Sequence, residues 1–446
     1  MPLLPIVPYA ERHARLAAVL DRRAVFDDAV ESAVREILDA VRERGDAALL
    51  DLTERFDGVR PAPLKVAEDE LDAALDALDP DLRATIEQAA ANVRRFHEAE
   101  MPASWSHDDG DGVTFGQRVV PVDRAGLYVP AGTAPLPSSV VMNAVPALVA
   151  GVGELHVCSP PGRGGRPHPL VLATARLLGV RHVYAVGGAQ AVAALAFGTE
   201  TVLRVDVVVG PGNAYVATAK KLVVGQVGID SVAGPSEVVV LADADADPTF
   251  AAADLLAQAE HDDRASAVLV TPSHALAEAV QGVVDRLVPT LPRADVLRTS
   301  LPAYGAAVVT ASLDEAVACV DELAPEHLVI LSDDADDLWG RIRHAGAVFL
   351  GHDSPEPVGD YFAGPNHVLP TGGTARFASA LGVGVFLRRQ SVLRYSAERL
   401  ARTGESIARF AEAEGLDAHA LAVRLRVERA GLNVTRSSVV AAEHEA

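Results

Sequence analysis

Hydrophobic residues recur along this chain with two different periods. In residues 28–56 and 68–98 they stand every three or four positions, which predicts helices interrupted at Gly58 and Pro80. From about Val113 onward, short runs rich in strand-forming residues alternate with helical patterns. Repeated β–α units of this kind predict parallel sheets covered by helices on both faces, so the expected fold class is α/β.

The length of the chain indicates more than one domain. Its 446 residues exceed what one hydrophobic core usually organises, so we expect two or three domains. After Leu381 the pattern becomes helical again, and a tail of about 65 residues seldom buries enough apolar area to fold alone. We therefore expect this tail to dock on another surface.

Composition narrows the classes of partner. The formal net charge of −22 disfavours nucleic acid and anionic membranes, and it suits neutral or cationic small molecules. The two cysteines, Cys158 and Cys319, are too few for a disulfide framework or a cysteine-rich metal site. The first twelve residues lack the features of a signal peptide, and no stretch could span a membrane. A cytoplasmic enzyme is the expected outcome.

Four separated fragments carry side chains suited to metal binding or proton transfer. Gln258 and His261 stand three residues apart on a helix predicted to start at Asp247, which places both on one face. With Asp360 and His419 they form the nitrogen and oxygen set that zinc accepts without thiolates. The fragments are L-L-A-Q-A-E-H (Leu255–His261), A-P-E-H (Ala324–His327), V-G-D-Y-F-A-G-P-N-H (Val358–His367) and E-G-L-D-A-H (Glu414–His419).

Each of these residues taken alone has an ordinary structural explanation. His261 at the end of a helix is commonly a cap, because an imidazolium is favourable there. Asp360 after a glycine is typical of a turn or N-cap, and His419 of an exposed helix position. Only the joint pattern favours a metal site.

No G-x-G-x-x-G motif opens any of the β–α units, so a dinucleotide is not indicated by that fingerprint. The alternative candidates are the turns G-G-A-Q (187–190) and G-P-G-N (210–213), each placed between a predicted strand and a helix. Free backbone amides at such helix starts favour phosphate. From the residues alone, either turn could equally be a tight connection without a ligand.

Several long motifs together resemble histidinol dehydrogenases, over roughly residues 28 to 434. They are G-L-Y-V-P, P-S-S-V-V-M-N-A-V-P-A, V-G-G-A-Q-A-V-A-A-L-A-F-G-T, V-G-P-G-N-A-Y-V-A-T-A-K-K, A-G-P-S-E, Q-A-E-H, A-P-E-H and N-H-V-L-P-T-G-G-T-A-R. The resemblance implies two Rossmann-like domains, one inserted in the other, with small helical segments at both ends. The expected limits are 1–27 for an N-terminal segment, 28–128 with 236–380 for the first domain, 129–235 for the inserted NAD-side domain and 381–446 for the tail.

The resemblance also implies an activity, which is the oxidation of L-histidinol to L-histidine with two molecules of NAD. Aldehyde oxidation needs water to add first, so Glu326 is expected to activate water and His327 to act as general base throughout. Positions that match the family's contacts imply Tyr128, Gln190 and Asn213 for NAD, Gln258, His261, Asp360 and His419 for zinc, and these four together with Ser236, His327 and Glu414 for substrate.

The same resemblance implies a homodimer in which the tail is exchanged, so that His419 of one chain completes the zinc site of the other. His367 is expected to support the site rather than to bind metal. Two positions depart from the family pattern, Ala131 where a second glycine is common and Leu136 where tyrosine is common.

Two other functions remain open at this stage. A paralogous zinc- and NAD-dependent alcohol dehydrogenase, resembling sulfopropanediol dehydrogenases, would keep the metal set but accept an anionic sulfonate. Glu414 and the acidic charge favour a cationic substrate instead. A binding protein without catalysis would be expected to have lost Glu326, His327 or a metal ligand, and all are present.

Overall fold

A computed structural model describes residues 2–20, 28–131 and 135–429. Within these ranges no helix is both long enough and apolar enough to cross a membrane. The chain divides into two compact units, which are described separately. Among the described residues, the larger unit contains 2–20, 28–101, 121–131 and 135–386, and the smaller unit contains 102–120 and 387–429.

Fourteen strands lie in the described part of the chain. In chain order they are β1 (Ile6–Pro8), β2 (Trp105–Asp108), β3 (Val113–Pro121), β4 (Arg124–Tyr128), β5 (Glu154–Ser159), β6 (His182–Ala185), β7 (Val207–Val209), β8 (Gly228–Ile229), β9 (Glu237–Ala242), β10 (Ser266–Thr271), β11 (Ala306–Val309), β12 (His327–Leu331), β13 (Ala347–Leu350) and β14 (Leu387–Tyr395).

The strands form two parallel sheets and one smaller sheet. The first has six strands in the order β1-β11-β10-β9-β12-β13, and the second has five in the order β6-β5-β4-β7-β8. Every pairing within these two sheets is parallel. The third sheet has the order β14-β3-β2. The predicted α/β class with two parallel sheets is confirmed.

Helices connect and cover the strands, and short 3-10 turns lie at Tyr9–Glu11, Val288–Thr290, Thr374–Arg376 and Val383–Phe386. The α-helices are α1 (Arg12–Arg15), α2 (Ala17–Leu20), α3 (Asp28–Arg44), α4 (Asp46–Asp57), α5 (Glu68–Asp76), α6 (Pro80–Ala99), α7 (Pro137–Ala150), α8 (Pro169–Leu177), α9 (Gly188–Phe197), α10 (Ala214–Val223), α11 (Pro248–Ala259), α12 (His274–Leu287), α13 (Ala294–Tyr304), α14 (Leu313–Leu323), α15 (Ala335–Arg341), α16 (Glu356–Tyr361), α17 (Ala397–Ala413) and α18 (Asp417–Arg429).

Alternate residues of the central strands pack into two separate hydrophobic cores. On β9, Val238 and Val240 pack into one buried cluster with α11 and α12, whereas Val239 and Leu241 pack into another with α14. Successive side chains of a strand point to opposite faces, so a strand buried on both faces must be apolar throughout. This explains the unbroken run of hydrophobic residues that the sequence shows there.

One predicted helix is divided in the structure. Residues 28–56 were expected to form a single helix, but α3 ends at Arg44 and α4 begins at Asp46. Gly45 lies between them at φ 53, and a Cβ atom there would stand 2.2 Å from a carboxylate oxygen of Glu200. A residue at positive φ cannot continue a right-handed helix, so the chain turns at this glycine.

Helices α3 and α4 pack on α9 and α10, which connect strands of the five-stranded sheet. Residues of α3 and α4 share a buried cluster with residues of α9 and α10. β4 belongs to this same sheet, and β1 pairs with β11 at the edge of the six-stranded sheet. The sequence-based limits of the two domains and of the N-terminal segment stay predictions.

In the smaller unit, α17 and α18 pack on each other and follow β14. The sequence predicted helix after Leu381, but nine residues, Leu387–Tyr395, form a strand beside β3. Pairing with a segment about 270 residues earlier in the chain decides this conformation, and local periodicity does not report such pairing.

Candidate active site

The two residues predicted to be catalytic lie at the amino-terminal edge of the six-stranded sheet. Ala324 ends α14 at φ 47, and Pro325 then leads to Glu326 and to His327, the first residue of β12. Both Glu326 and His327 are buried, at 6% and 4% exposure. The turn lets two consecutive side chains converge, which a regular strand would not allow.

Glu237, the first residue of β9, contacts both of them through its backbone. Its amide donates to Oε2 of Glu326 at 2.8 Å, and its carbonyl oxygen lies 3.1 Å from Nδ1 of His327. The same carboxylate oxygen of Glu326 is 3.7 Å from Nδ1 of His327. The neighbouring strand therefore fixes the position of the pair.

Two carboxylates from α16 face the other nitrogen of this imidazole. Oδ1 of Asp360 and Oε1 of Glu356 each lie 3.8 Å from Nε2 of His327. Glu356 was not among the site residues predicted from the sequence. It is 1% exposed and stands four residues before Asp360, so both occupy one face of a short helix. That spacing is the signal that could have identified it.

Burial and mutual charge change the acidity of these groups. Burial raises the pKa of Glu326 to about 8, and burial together with nearby Asp360 raises the pKa of Glu356 to about 8. Burial would lower the pKa of His327, but the surrounding carboxylates, Glu326 first, raise it to about 9. Perturbed ionisable groups that cluster in this way are typical of functional sites.

Asp360 behaves in the opposite direction. Burial alone would raise its pKa, but the neighbouring imidazoles of His327, His367 and His261 hold it below the ordinary value. The Nδ1 of His367 is 3.7 Å from Oδ1 of Asp360, consistent with the supporting role expected for that histidine. Asp360 is thus a carboxylate in a ring of imidazoles.

Gln258 and His261 come from the end of α11. Asp247 caps this helix as predicted by accepting from the amide of Thr249, but the helix ends at Ala259 and His261 lies in the turn that follows. Nε2 of Gln258 is 3.4 Å from Nδ1 of His261. Gln258 is fully buried, whereas the His261 side chain is exposed.

The remaining predicted ligands and substrate contacts lie elsewhere. Ser236 is half-buried and directly precedes Glu237. Glu414 and His419 belong to the smaller unit, where Glu414 ends α17 and His419 lies in the first turn of α18. Both of these side chains are exposed. The structure therefore brings Gln258, His261 and Asp360 into the larger unit together with Glu326 and His327, and it gives Glu414 and His419 to the smaller one.

The donor atoms present suit a zinc ion. Oε1 of Gln258 and Nε2 of His327 are buried atoms for which the described residues provide no hydrogen-bond partner. Buried polar atoms normally have partners, so their absence here favours an additional group. His327, Glu356 and Asp360 also offer ligand atoms within 4.8 Å of one another, a nitrogen and oxygen set that zinc accepts.

The residues predicted to contact NAD lie at the carboxyl-terminal edge of the five-stranded sheet. Tyr128 ends β4, and its hydroxyl accepts from the amide of Gly188, the first residue of α9. Gln190 is buried on the first turn of the same helix, and a Cβ at Gly188 would meet its side chain at 2.7 Å. Asn213 is exposed and caps α10 by accepting from the amides of Tyr215 and Val216.

A second cluster has metal-type side chains but a simpler explanation. Glu154, His156 and His182 lie at the amino-terminal ends of β5 and β6. The two nitrogens of His156 already have partners, the Tyr184 hydroxyl at 3.1 Å and Glu154 at 3.4 Å, and Arg124 donates to Glu154 at 3.0 Å. These contacts account for both nitrogens of His156 without any ion, whereas Nδ1 of His182 is a buried atom that has no hydrogen-bond partner among the described residues.

Proton transfer and nucleotide binding are the two requirements of a dehydrogenase, and the two sheets each supply one set of side chains for them. Fold and site together define a metal-dependent, NAD-linked dehydrogenase. A family model described as histidinol dehydrogenase matches residues 20–427 of the chain.

Individual relatives agree. A histidinol dehydrogenase from Geobacillus kaustophilus is 53% identical, over 93% of this chain and 99% of its own, and one from Chlorobaculum tepidum is 51% identical, over 96% and 100%. The crystal structure of histidinol dehydrogenase from Elizabethkingia anophelis superposes with a TM-score of 0.90 at 33% identity, covering 97% of this chain and 99% of that one. The chain belongs to the histidinol dehydrogenase family, an NAD- and zinc-dependent oxidoreductase family.

Proposed function

We propose that this chain oxidises L-histidinol to L-histidine through L-histidinal, with two molecules of NAD, in histidine biosynthesis. The observation that carries the proposal is the buried pair Glu326 and His327, fixed on Glu237 beside Asp360, in a member of the histidinol dehydrogenase family. NAD, which Tyr128, Gln190 and Asn213 would hold, would supply the hydride acceptor for both oxidations.

His327 is the general base in this proposal, and the structure supports one particular atom. A backbone carbonyl can only accept a hydrogen bond, so in the neutral imidazole Nδ1 carries the proton directed at Glu237. The lone pair is then on Nε2, the buried atom beside Asp360 and Glu356. Nε2 is therefore the atom placed to take the hydroxyl proton of the alcohol, and later of the hydrated aldehyde, after the imidazole has lost the proton that its raised pKa of about 9 retains near neutral pH.

Glu326 activates the water that adds to the aldehyde. One of its carboxylate oxygens accepts a hydrogen bond from the amide of Glu237, so the carboxylate cannot rotate freely. The other oxygen is then available to orient a water molecule. Burial, which raises its pKa, also makes the ionised form a stronger base than an exposed glutamate. The pair thus divides the work, since only the second oxidation requires water.

Gln258, His261 and Asp360 would hold zinc, with His419 as the fourth protein ligand. Zinc has no redox chemistry, so it would position the nitrogen atoms of the substrate. Ser236, Glu414 and His327, with the metal-site residues, complete the substrate contacts. Tyr128, Gln190 and Asn213 would contact NAD; burial raises the pKa of Tyr128 to about 12, so its hydroxyl stays protonated and can donate.

The proposal also includes a homodimer in which the tails are exchanged, and a cytoplasmic location for the protein. Within the smaller unit, Phe410 on α17 is 71% exposed, and Leu421 and Leu425 on α18 are 45% and 49% exposed. Exposed large apolar side chains that share one helix pair favour a protein partner. A second copy of the chain that receives this surface would also receive His419.

Turnover of two alternative substrates tests the proposal. Purified protein should reduce NAD with L-histidinol and not with a sulfopropanediol, because Glu414 and the acidic protein favour a cationic amine. Glu414→Gln is the informative variant, since it retains the size of the side chain and removes the charge. Preferential turnover of the sulfonate by the unmodified enzyme would replace this function with that of the paralogous dehydrogenases.

A further inference from the structure

The loop Gly210–Asn213, between β7 and α10, is held by a buried ion pair. Nζ of Lys220 donates to the carbonyl oxygen of Gly210 at 2.9 Å, and the amide of Gly210 donates to Oδ2 of Asp230 at 2.8 Å. The Lys220 ammonium also contacts Oδ1 of Asp230, and each side chain is 2% exposed. One pair of opposite charges, here called the Gly210 clamp, therefore binds both polar backbone groups of a single residue.

Gly210 has little freedom to move relative to β4. Its φ is +116, and a Cβ atom there would lie 2.2 Å from the carbonyl oxygen of Tyr128 and 3.0 Å from Nδ2 of Asn143. The backbone of the loop thus packs directly on the end of the strand that carries Tyr128. Fixing Gly210 fixes the spacing between Tyr128 and Asn213, which are the two sides of the expected NAD contact.

The charges of the clamp are not explained by stability alone. Placing two ions in the interior carries a large desolvation cost, and apolar residues of similar size are often as stabilising as a buried pair. A directional role is a better explanation, because an ammonium and a carboxylate can orient a carbonyl and an amide whereas apolar side chains cannot.

The adjacent lysine shows that burial, and not helix position, distinguishes Lys220. Two consecutive lysines in the last turn of a helix ordinarily indicate a solvated helix end, but the structure buries Lys220. Lys221 does fit that interpretation: it is 46% exposed and contacts Glu31 at 3.2 Å on the surface.

We propose that Lys220 and Asp230 are positioning residues for NAD, which hold the Gly210–Asn213 loop in its binding geometry without touching the dinucleotide. This inference rests on the proposed function, because it takes that loop to be an NAD contact. Both side chains are buried, so their effect must pass through the backbone of Gly210.

Steady-state kinetics of Lys220→Met, with Lys221→Met as the matched control, tests the proposal. Lys220→Met should raise the KM for NAD by about tenfold, with kcat and the KM for L-histidinol changed by less than about threefold. NADH titration by fluorescence should show the same loss of affinity, and Lys221→Met should match the unmodified enzyme. A purely structural role would lower the melting temperature or the active fraction and leave the KM for NAD unchanged.

Other outcomes are equally decisive. A folded Lys220→Met enzyme with an unchanged KM for NAD would overturn the proposal. If Lys220→Met does not fold, Asp230→Asn, which keeps the shape and the acceptor for Gly210, gives the same measurement; if neither folds, the pair serves folding and the proposal is also overturned. Asn213→Ala separates the two levels: an unchanged KM for NAD in that variant contradicts the loop as an NAD contact, whatever the clamp does.

Discussion

At the scale of single residues, Glu237 matters to the site through its backbone more than through its side chain. Its amide and carbonyl bind Glu326 and His327, and its carboxylate accepts from the amide of Gly372 at 3.1 Å. Apart from the motif A-G-P-S-E, the sequence does not indicate this role, because any residue type can make backbone contacts. The roles of the two catalytic candidates can nevertheless be separated by substitution.

We predict that Glu326→Gln impairs the oxidation of L-histidinal more than that of L-histidinol, whereas His327→Asn impairs both. Loss of a general base typically lowers the rate by about 10²–10⁴-fold, and only the second oxidation needs activated water. Stopped-flow formation of NADH from each substrate, supplied separately, makes the comparison. Normal oxidation of the aldehyde by Glu326→Gln would contradict the assignment of water activation to this residue.

At the scale of elements, α11 and α16 deliver most of the remaining groups. The sequence was sufficient for α11, because Asp247 and Pro248 start it as N-cap and N1 residues are expected to. It was not sufficient for Glu356, because the four-residue spacing to Asp360 becomes a signal only once this six-residue segment is known to be a helix, nor for β14, whose partner is remote in the chain. Sequence signals such as N-cap residues identify helices whose ends are capped by neighbouring residues. They do not identify a strand whose conformation depends on pairing with a distant segment.

Metal content tests the contribution of these two helices. We expect about one zinc per chain in the purified protein, because Gln258, His261 and Asp360 provide a site without thiolates. Chelation should remove the metal and the activity together, and zinc should restore both. Glu278→Gln on α12, whose side chain is 64% exposed and contacts His274, is the control that should retain zinc. Full activity in verified metal-free protein would contradict the metal assignment.

His156 on β5, beside His182 on β6, is the basis of a separate prediction about stability at acid pH. Burial, then the neighbouring His182, lowers the pKa of His156 to about 4. The unfolded chain, with an ordinary pKa of 6.5, binds a proton first as the pH falls, so stability is lost between about pH 6.5 and 4. His156→Gln should reduce the fall in melting temperature between pH 7 and pH 5, equivalent to about 1–2 kcal/mol.

The exposed residue His274 supplies the control for that experiment. His274→Gln should leave the pH dependence of the melting temperature as it is in the unmodified protein, because its side chain is 65% exposed. Calorimetry of the unmodified protein and the two variants at pH 7 and pH 5 measures these changes in melting temperature. An identical drop in His156→Gln and in the unmodified protein would show that this histidine does not contribute to acid sensitivity.

At the scale of the whole molecule, we propose that each active site draws on two chains. The larger unit holds Asp360 with Gln258 and His261, and the smaller unit carries His419 on an exposed helix position. The sequence suggested an exchanged tail through family resemblance, and periodicity of α18 could only indicate that the helix needs a surface to cover. Two inactive variants can therefore be used to test where His419 acts.

We predict that mixing Asp360→Ala and His419→Ala chains, under conditions that allow subunit exchange, restores activity. In an exchanged heterodimer one site carries both lesions and the other is intact, so up to about half of the activity of an unmodified dimer should return. If the tail served its own chain, every site would keep one lesion, and mixing would restore nothing.

The central claim is that one site performs a four-electron oxidation of L-histidinol. Its most direct test is the stoichiometry of the complete reaction, measured as NADH formed per L-histidinol consumed, with the product identified by chromatography. We predict two NADH and one L-histidine from each L-histidinol, and one NADH when L-histidinal is supplied. One NADH per L-histidinol, with the aldehyde or another product accumulating, would contradict it.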